Sequence, residues 1–182
     1  MAALVVIDVQ RAFVARRDRG NPWANPGAEV AIAALLAAFR KRRLPVIHVH
    51  HHGTDPEDDF HRDAPGAQVM VCAAPAPGEA VVIKQGSSAF IGTDLAERLA
   101  GLGNPPLVIA GGAANYCVNS SARMAGNLGY QVTVASDALI NFGQRLGDGR
   151  VMPAADVLAL TLADLDGEFG RVETSGNIIA RL

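Results

Sequence analysis

The sequence predicts a three-layer α/β fold, Rossmann-like in outline, with a mainly parallel six-stranded sheet and helices on both faces. Three observations predict it. Short apolar runs rich in Val, Ile and Leu recur along the 182 residues. Helical patterns lie between them. Most runs are continuously apolar rather than alternating, the pattern of strands covered on both faces. Strands alternating with helices at this spacing imply βαβ units.

The strand runs are 4–9, 45–49, 80–83, 107–110, 131–135 and 169–173. The strongest helical pattern is 29–43, where Val30, Ile32, Ala33, Leu36 and Ala37 make an apolar side. The segment 93–102 opens on Thr93 as an N-cap and stops near Gly101 and Gly103. Two further helices are expected over 119–128, stopped by Gly129, and over 153–165, stopped near Gly167. Irregular stretches at 16–27 and 51–77 are rich in proline, glycine and charge. Loops of that length in a compact α/β domain usually shape a site. With no repeat and no linker, a single domain over 1–182 is expected.

Bulk composition removes several function classes. A formal charge of −2 and 49% hydrophobic residues exclude a disordered chain and a nucleic-acid-binding field. The basic cluster at 40–43 follows a helix, where cations complement the helix dipole. The two cysteines, Cys72 and Cys117, are far apart and lack metal-type spacing, so a disulfide scaffold is not expected. There is no basic leader before Asp8 and no apolar stretch of membrane-spanning length. The expectation is a cytoplasmic protein with neither membrane nor nucleic-acid partners.

Cys117 is the most informative residue. The run 107–110 breaks at Gly111-Gly112, and the cysteine follows where an alanine-rich helix begins. A thiol there would meet unpaired backbone N–H groups and the positive end of the dipole, which favour thiolate and hold an oxyanion. The competing role is a small buried hydrophobe. In an open parallel sheet, ligands bind beyond the carboxyl ends of the strands. The first run ends at Asp8, the third at Lys84, and the fourth leads to Cys117. Asp8 and Lys84 each follow apolar residues, where an unpaired charge is costly, and an Asp8–Lys84 pair beside the thiol would resolve both.

These pieces carry a resemblance. Val-Ile-Asp8-Val-Gln10-Arg-Ala-Phe13, Lys84-Gln-Gly-Ser-Ser-Ala-Phe90, Gly111-Gly-Ala-Ala-Asn115-Tyr-Cys117-Val, Ala122-Arg-Met-Ala-Gly-Asn-Leu-Gly-Tyr130 and Ser136-Asp-Ala138 occur in this order. The ordered set resembles the isochorismatase-like cysteine hydrolases, a superfamily with nicotinamidases, N-carbamoylsarcosine amidohydrolase, and ureide and streptothricin hydrolases. The resemblance implies an Asp8–Lys84–Cys117 triad acting on a small-molecule amide, ureide or carbamoyl compound through a Cys117 thioester. It also implies a cis Gly112–Ala113 bond and an oxyanion hole from the Ala113 and Cys117 N–H groups. A homo-oligomer, dimer or tetramer, is expected on the same ground.

Phe13, Trp23, Phe90, Phe142, Asn115 and Tyr116 are candidate pocket residues, with Trp23 favoured because it sits in a proline-flanked loop. Gln10 is expected to support the Asp8 turn. Family nicotinamidases hold a metal with an Asp-x-His pair, an order missing from His48-Val-His50-His51-His52 and His61. Along a strand His48 and His50 share a face and His51 points away. No metal and no cofactor are therefore expected. The alternatives are a metal-assisted, nicotinamidase-type amidase using those histidines, and a non-catalytic family member.

Overall fold

The structure, a computed structural model, describes residues 2–182. A six-stranded sheet runs in the order β3-β2-β1-β4-β5-β8. Its strands are β1 (Ala3–Ile7), β2 (Val46–His51), β3 (Ala80–Lys84), β4 (Leu107–Gly112), β5 (Val132–Ile140) and β8 (Arg171–Glu173). Every neighbouring pair is parallel. Parallel pairing needs crossover connections, and these are helical wherever the sequence places an amphipathic or apolar segment.

Strand alternation sorts the core into two layers. On one face Leu4 and Val6 of β1 pack with Leu35, Leu36 and Phe39 of α2 (Ala28–Lys41). On the other, Val5 and Ile7 pack with α3 (Leu95–Gly101), α4 (Asn119–Asn127) and α5 (Ala154–Leu165) through Leu95, Ala122 and Leu158. The edge strand β3 departs from the expected two-sided burial: Val82 and Lys84 are buried, whereas Val81 and Ile83 are exposed.

The expected α/β fold is present, with local corrections. Residues 11–18 form a helix, α1 (Arg11–Asp18), so the irregular stretch expected from residue 16 starts later. A terminal helix, α6 (Ser175–Arg181), is capped by the Thr174 hydroxyl, which accepts from the Asn177 N–H. A short antiparallel pair, β6 (Gln144–Arg145) and β7 (Val151–Met152), was also not expected. Thr93 is not the N-cap of α3. That position falls to Asp94, while the Thr93 hydroxyl donates back to the Ala89 carbonyl at 2.6 Å.

Charge is also buried away from the strand ends. Glu79 receives Arg40 through two bonds of 2.7 and 2.8 Å, the Ala76 N–H at 2.7 Å and His48 Nε2 at 2.8 Å. Chiefly through Arg40, these partners hold its carboxyl down at about 2. Glu79→Ala should therefore cost about 3 kcal/mol, because it strands a guanidinium and a buried imidazole. For a chain of this length that is a fall in Tm of roughly 10 °C, read by calorimetry. Because the carboxyl is depressed in the folded state, its stabilisation is complete above about 4.5 and is lost as pH falls toward about 2.

Candidate active site

Three strand ends supply the site. At the exit of β1, Asp8 adopts a left-handed backbone, φ 51°. Aspartate tolerates this better than most side chains, and it breaks the in–out alternation of the strand. Lys84 closes β3, on the same face as Val82. Beyond β4, residues Ala114–Val118 make a wide helical turn of π geometry that runs into α4, and Cys117 sits in it. Gly111 makes the approach of β4 to β1 possible: its φ is +119°, and an added Cβ would lie 2.0 Å from the Ile7 carbonyl oxygen. The Gly112–Ala113 peptide bond is cis.

The structure brings Asp8, Lys84 and Cys117 together. Lys84 Nζ lies 2.7 Å from Asp8 Oδ2 and donates to Cys117 Sγ at 3.2 Å. It also donates to the Gly86 carbonyl at 3.1 Å and lies 3.4 Å from His51 Nδ1. Asp8 and Lys84 are fully buried and Cys117 is half-buried. Burial raises the Asp8 carboxyl above its ordinary value, and the Lys84 ammonium opposes that rise. Asp8 Oδ1 has no hydrogen-bond partner among the described residues.

The thiol differs from the sequence expectation. Burial, then the Asp8 charge, push Cys117 up to about 12, with Lys84 offsetting only part. The helix terminus was expected to favour thiolate, but Cys117 lies in the turn before α4, packed against core side chains. Desolvation of an anion outweighs a half-charge dipole there. At neutral pH the site therefore holds a protonated thiol, beside an Asp8 carboxyl with one oxygen free. Such a pair can transfer a proton and release a sulfur nucleophile when an acceptor carbonyl arrives. The Ala113 N–H makes no hydrogen bond among the described residues, which leaves a donor at the same turn.

The surrounding residues divide. Phe13 lies on the site: an added Cβ at Gly112 would meet its ring at 2.6 Å. Tyr116 is exposed and its hydroxyl donates to Gln144 Oε1 at 3.2 Å, while Asn115 is half-buried in the turn. Trp23 is a core side chain rather than a cavity wall. It packs edge-on with Phe142 at 6.2 Å, and the Arg17 guanidinium lies over its ring. Phe90 is likewise displaced, packing 5.8 Å from Tyr130 beyond the far end of α4. Gln10 is buried and locks β2 to the Asp8 turn, donating to His51 O and Ala67 O and accepting from His51 N.

The histidines do not act as a group. His48 serves Glu79 on the α2 face, whereas His51 turns to Lys84. Among the described residues no three His, Cys, Asp or Glu side chains converge as metal ligands do. His51 is the neighbour of Lys84 that the sequence analysis did not assign. The signal was present, since strand parity sets His51 opposite His48, on the face that Lys84 shares.

Comparison with known proteins agrees with this architecture. Residues 2–148 match the isochorismatase domain. A solved structure of an isochorismatase-family protein from Chromobacterium violaceum superposes with a TM-score of 0.93 at 40% identity, over 98% of this chain and 92% of that one. The isochorismatase family protein YrdC of Bacillus subtilis is 32% identical, over 97% of this chain and 94% of its own length. Maleamate amidohydrolase of Pseudomonas putida is 29% identical, over 99% of this chain and 86% of its own. No helix among the described residues is long and apolar enough to cross a membrane. The chain belongs to the isochorismatase family of hydrolases.

Proposed function

We propose that the protein is a cysteine amidohydrolase that cleaves the C–N bond of a small amide, ureide or carbamoyl compound. The observation that carries this is Lys84 Nζ set between Asp8 Oδ2, at 2.7 Å, and Cys117 Sγ, at 3.2 Å, in a buried site. The similarity to an amidohydrolase supports the same bond class.

Asp8 takes the Cys117 proton as the sulfur attacks the carbonyl carbon. The oxyanion is held by the backbone N–H groups of Ala113 and Cys117. The C–N bond breaks, the leaving nitrogen takes the proton from Asp8, and a Cys117 thioester remains. Water then attacks the thioester while Asp8 takes its proton. The thiolate leaves and recovers that proton, and the acid product departs. Lys84 stabilises the charge that moves between oxygen and sulfur, and His51 Nδ1 lies 3.4 Å from Lys84 Nζ. No metal ion and no cofactor enters this scheme.

The test is ammonia release from a panel of small amides, ureides and carbamoyl amino acids, with Cys117→Ala beside the wild type. No turnover of any member by the wild type would overturn the reading. The pH profile gives a second check. The reaction needs ionised Asp8, whose carboxyl is raised by burial above 3.8. Activity should therefore rise with pH through that raised value, giving kcat/KM an acid limb above the ordinary aspartate range. Asp8→Asn should lower kcat by about a thousandfold, on the scale of losing a triad member. An acid limb that survives unchanged in Asp8→Asn would remove Asp8 from this role.

A further inference from the structure

Lys84 has more acceptors around it than hydrogens to give. A lysine ammonium carries three N–H donors. Four acceptors surround Nζ: Asp8 Oδ2 at 2.7 Å, the Gly86 carbonyl at 3.1 Å, Cys117 Sγ at 3.2 Å and His51 Nδ1 at 3.4 Å. The Asp8 and Gly86 oxygens are the closest and take two hydrogens. The third lies between the sulfur and the imidazole. A thiol is a weak acceptor, whereas the ring nitrogen of a neutral imidazole that carries no proton is a good one. A thiolate outranks both, because it is charged. The third hydrogen can therefore change partners as the sulfur changes charge, with the nitrogen staying in place.

His51 ends β2 and is half-buried. Gln10 fixes its backbone on both sides, donating to the His51 carbonyl and accepting from the His51 N–H. Burial, then the Lys84 charge, hold the imidazole below its ordinary value of 6.5, with Asp58 opposing. At neutral pH the ring is thus uncharged. Because Nδ1 faces an ammonium, the ring proton belongs on Nε2. The simpler role for the ring is packing, since it meets Phe60 edge-on at 5.6 Å. Packing alone does not call for a ring nitrogen on Lys84, and an apolar side chain would serve it as well.

We propose that His51 is a positioning residue that acts on Cys117 through Lys84: its Nδ1 holds the third ammonium hydrogen while the sulfur is uncharged, as thiol or thioester, and yields it to the thiolate. The use of this exchange rests on the amidohydrolase reading above, but the acidity of the thiol is measured apart from turnover. With His51 present, Lys84 has a full set of acceptors in the resting site and gains less from a thiolate. Cys117 thus stays protonated until an acceptor carbonyl arrives and Asp8 takes its proton. Without His51 the third hydrogen is left with the sulfur alone, which favours the thiolate. Loss of the imidazole acceptor should therefore make the thiol more acidic and more reactive between turnovers.

The test is alkylation of Cys117 by iodoacetamide, followed from neutral to mildly alkaline pH and read by peptide mass spectrometry. Cys72, half-buried on the opposite face of the sheet, is the internal reference. His51→Leu keeps the bulk against Phe60 but cannot accept a hydrogen bond. It should speed alkylation of Cys117 about 10-fold at each pH, the size of one hydrogen bond expressed as a shift of about one unit in the thiol. The Cys72 rate should not change. His51→Asn puts Oδ1 on the same side-chain carbon that carries Nδ1, so it can still accept from Lys84 and should keep the wild-type rate. An unchanged Cys117 rate in His51→Leu, a rise shared by Cys72, or an equal rise in His51→Asn would overturn the proposal. Amide turnover by the wild type with no effect of His51 on alkylation would sink the exchange and leave the amidohydrolase reading standing. An effect of His51 on alkylation with no turnover of any substrate would do the reverse.

Discussion

Cys117→Ala is expected to lower kcat by at least ~10⁴-fold while leaving the fold in place. The scale comes from nucleophile removal in enzymes whose catalytic groups act as a unit, where one loss disables the rest. The fold should survive because the side chain is half-buried and small, and Lys84, which donates to it at 3.2 Å, has other partners. Lys84 keeps Asp8, Gly86 and His51 after the change. The expected outcome is therefore a silent enzyme with a Tm within a few degrees of the wild type. Turnover within tenfold of the wild type would sink the thioester mechanism. An accompanying collapse in Tm would instead mean that the variant reports on packing.

The second large effect is on stability. Gly111→Ala would place a methyl 2.0 Å from the Ile7 carbonyl oxygen and 2.8 Å from the Ile7 backbone nitrogen, at a φ of +119°. Neither obstacle is the end of a flexible side chain, and Ile7 pairs with Gly111 in the sheet. Overpacking of 1–3 kcal/mol and a strained backbone of similar size combine to about 4 kcal/mol. Chemical denaturation should show that loss with the m-value unchanged. Because Ile7 immediately precedes Asp8, the variant should also lose activity in its remaining folded fraction. A stability change under 1 kcal/mol would show that β1 and β4 can part without cost. Gly78→Ala is the control, since its φ is also positive (+88°) but nothing lies within 4 Å of an added Cβ.

The inner strands were readable in the sequence because they are largely buried on both faces, so apolar runs mark them directly. The three site residues were readable for the complementary reason: Asp8 and Lys84 interrupt such runs, and a charge there requires a partner. Where the reading failed, tertiary context had overridden local pattern. Helix α1 reads Arg-Ala-Phe-Val-Ala-Arg-Arg-Asp and buries only Ala12 and Phe13, so its periodic signal is nearly lost among arginines. Two of those arginines stack on aromatic rings outside the helix, Arg16 on the distant Phe142 and Arg17 on Trp23. The same stacking made Trp23 a core residue. The acidity of Cys117 was misjudged because helix position can be read from sequence, whereas depth of burial depends on the layers packed over it. Short α6 opens on polar Ser-Gly-Asn after Thr174 and was passed over, although Thr174 is an ordinary cap.

The three hydrogen bonds of Gln10 have a consequence for how the protein can change over generations. They tie His51 and Ala67 to one buried side chain, and Met70 N to Val9 O and Arg11 N to Gln68 O continue the tie on the return. The excursion between these anchors is thus held at both ends by the segment 9–11 that joins β1 to α1. Its interior, residues 54–59, is a replaceable insert, whereas Phe60 packs on Phe13 and His51. Lengthening a loop so anchored costs only about 0.6 kcal/mol per doubling. Exchange of residues 54–59 between relatives should then re-shape the cavity that Asp58 and Asp59 line beside α1, while the Asp8–Lys84–Cys117 geometry stays as it is. A fold arranged this way can acquire new substrates without rebuilding its chemistry.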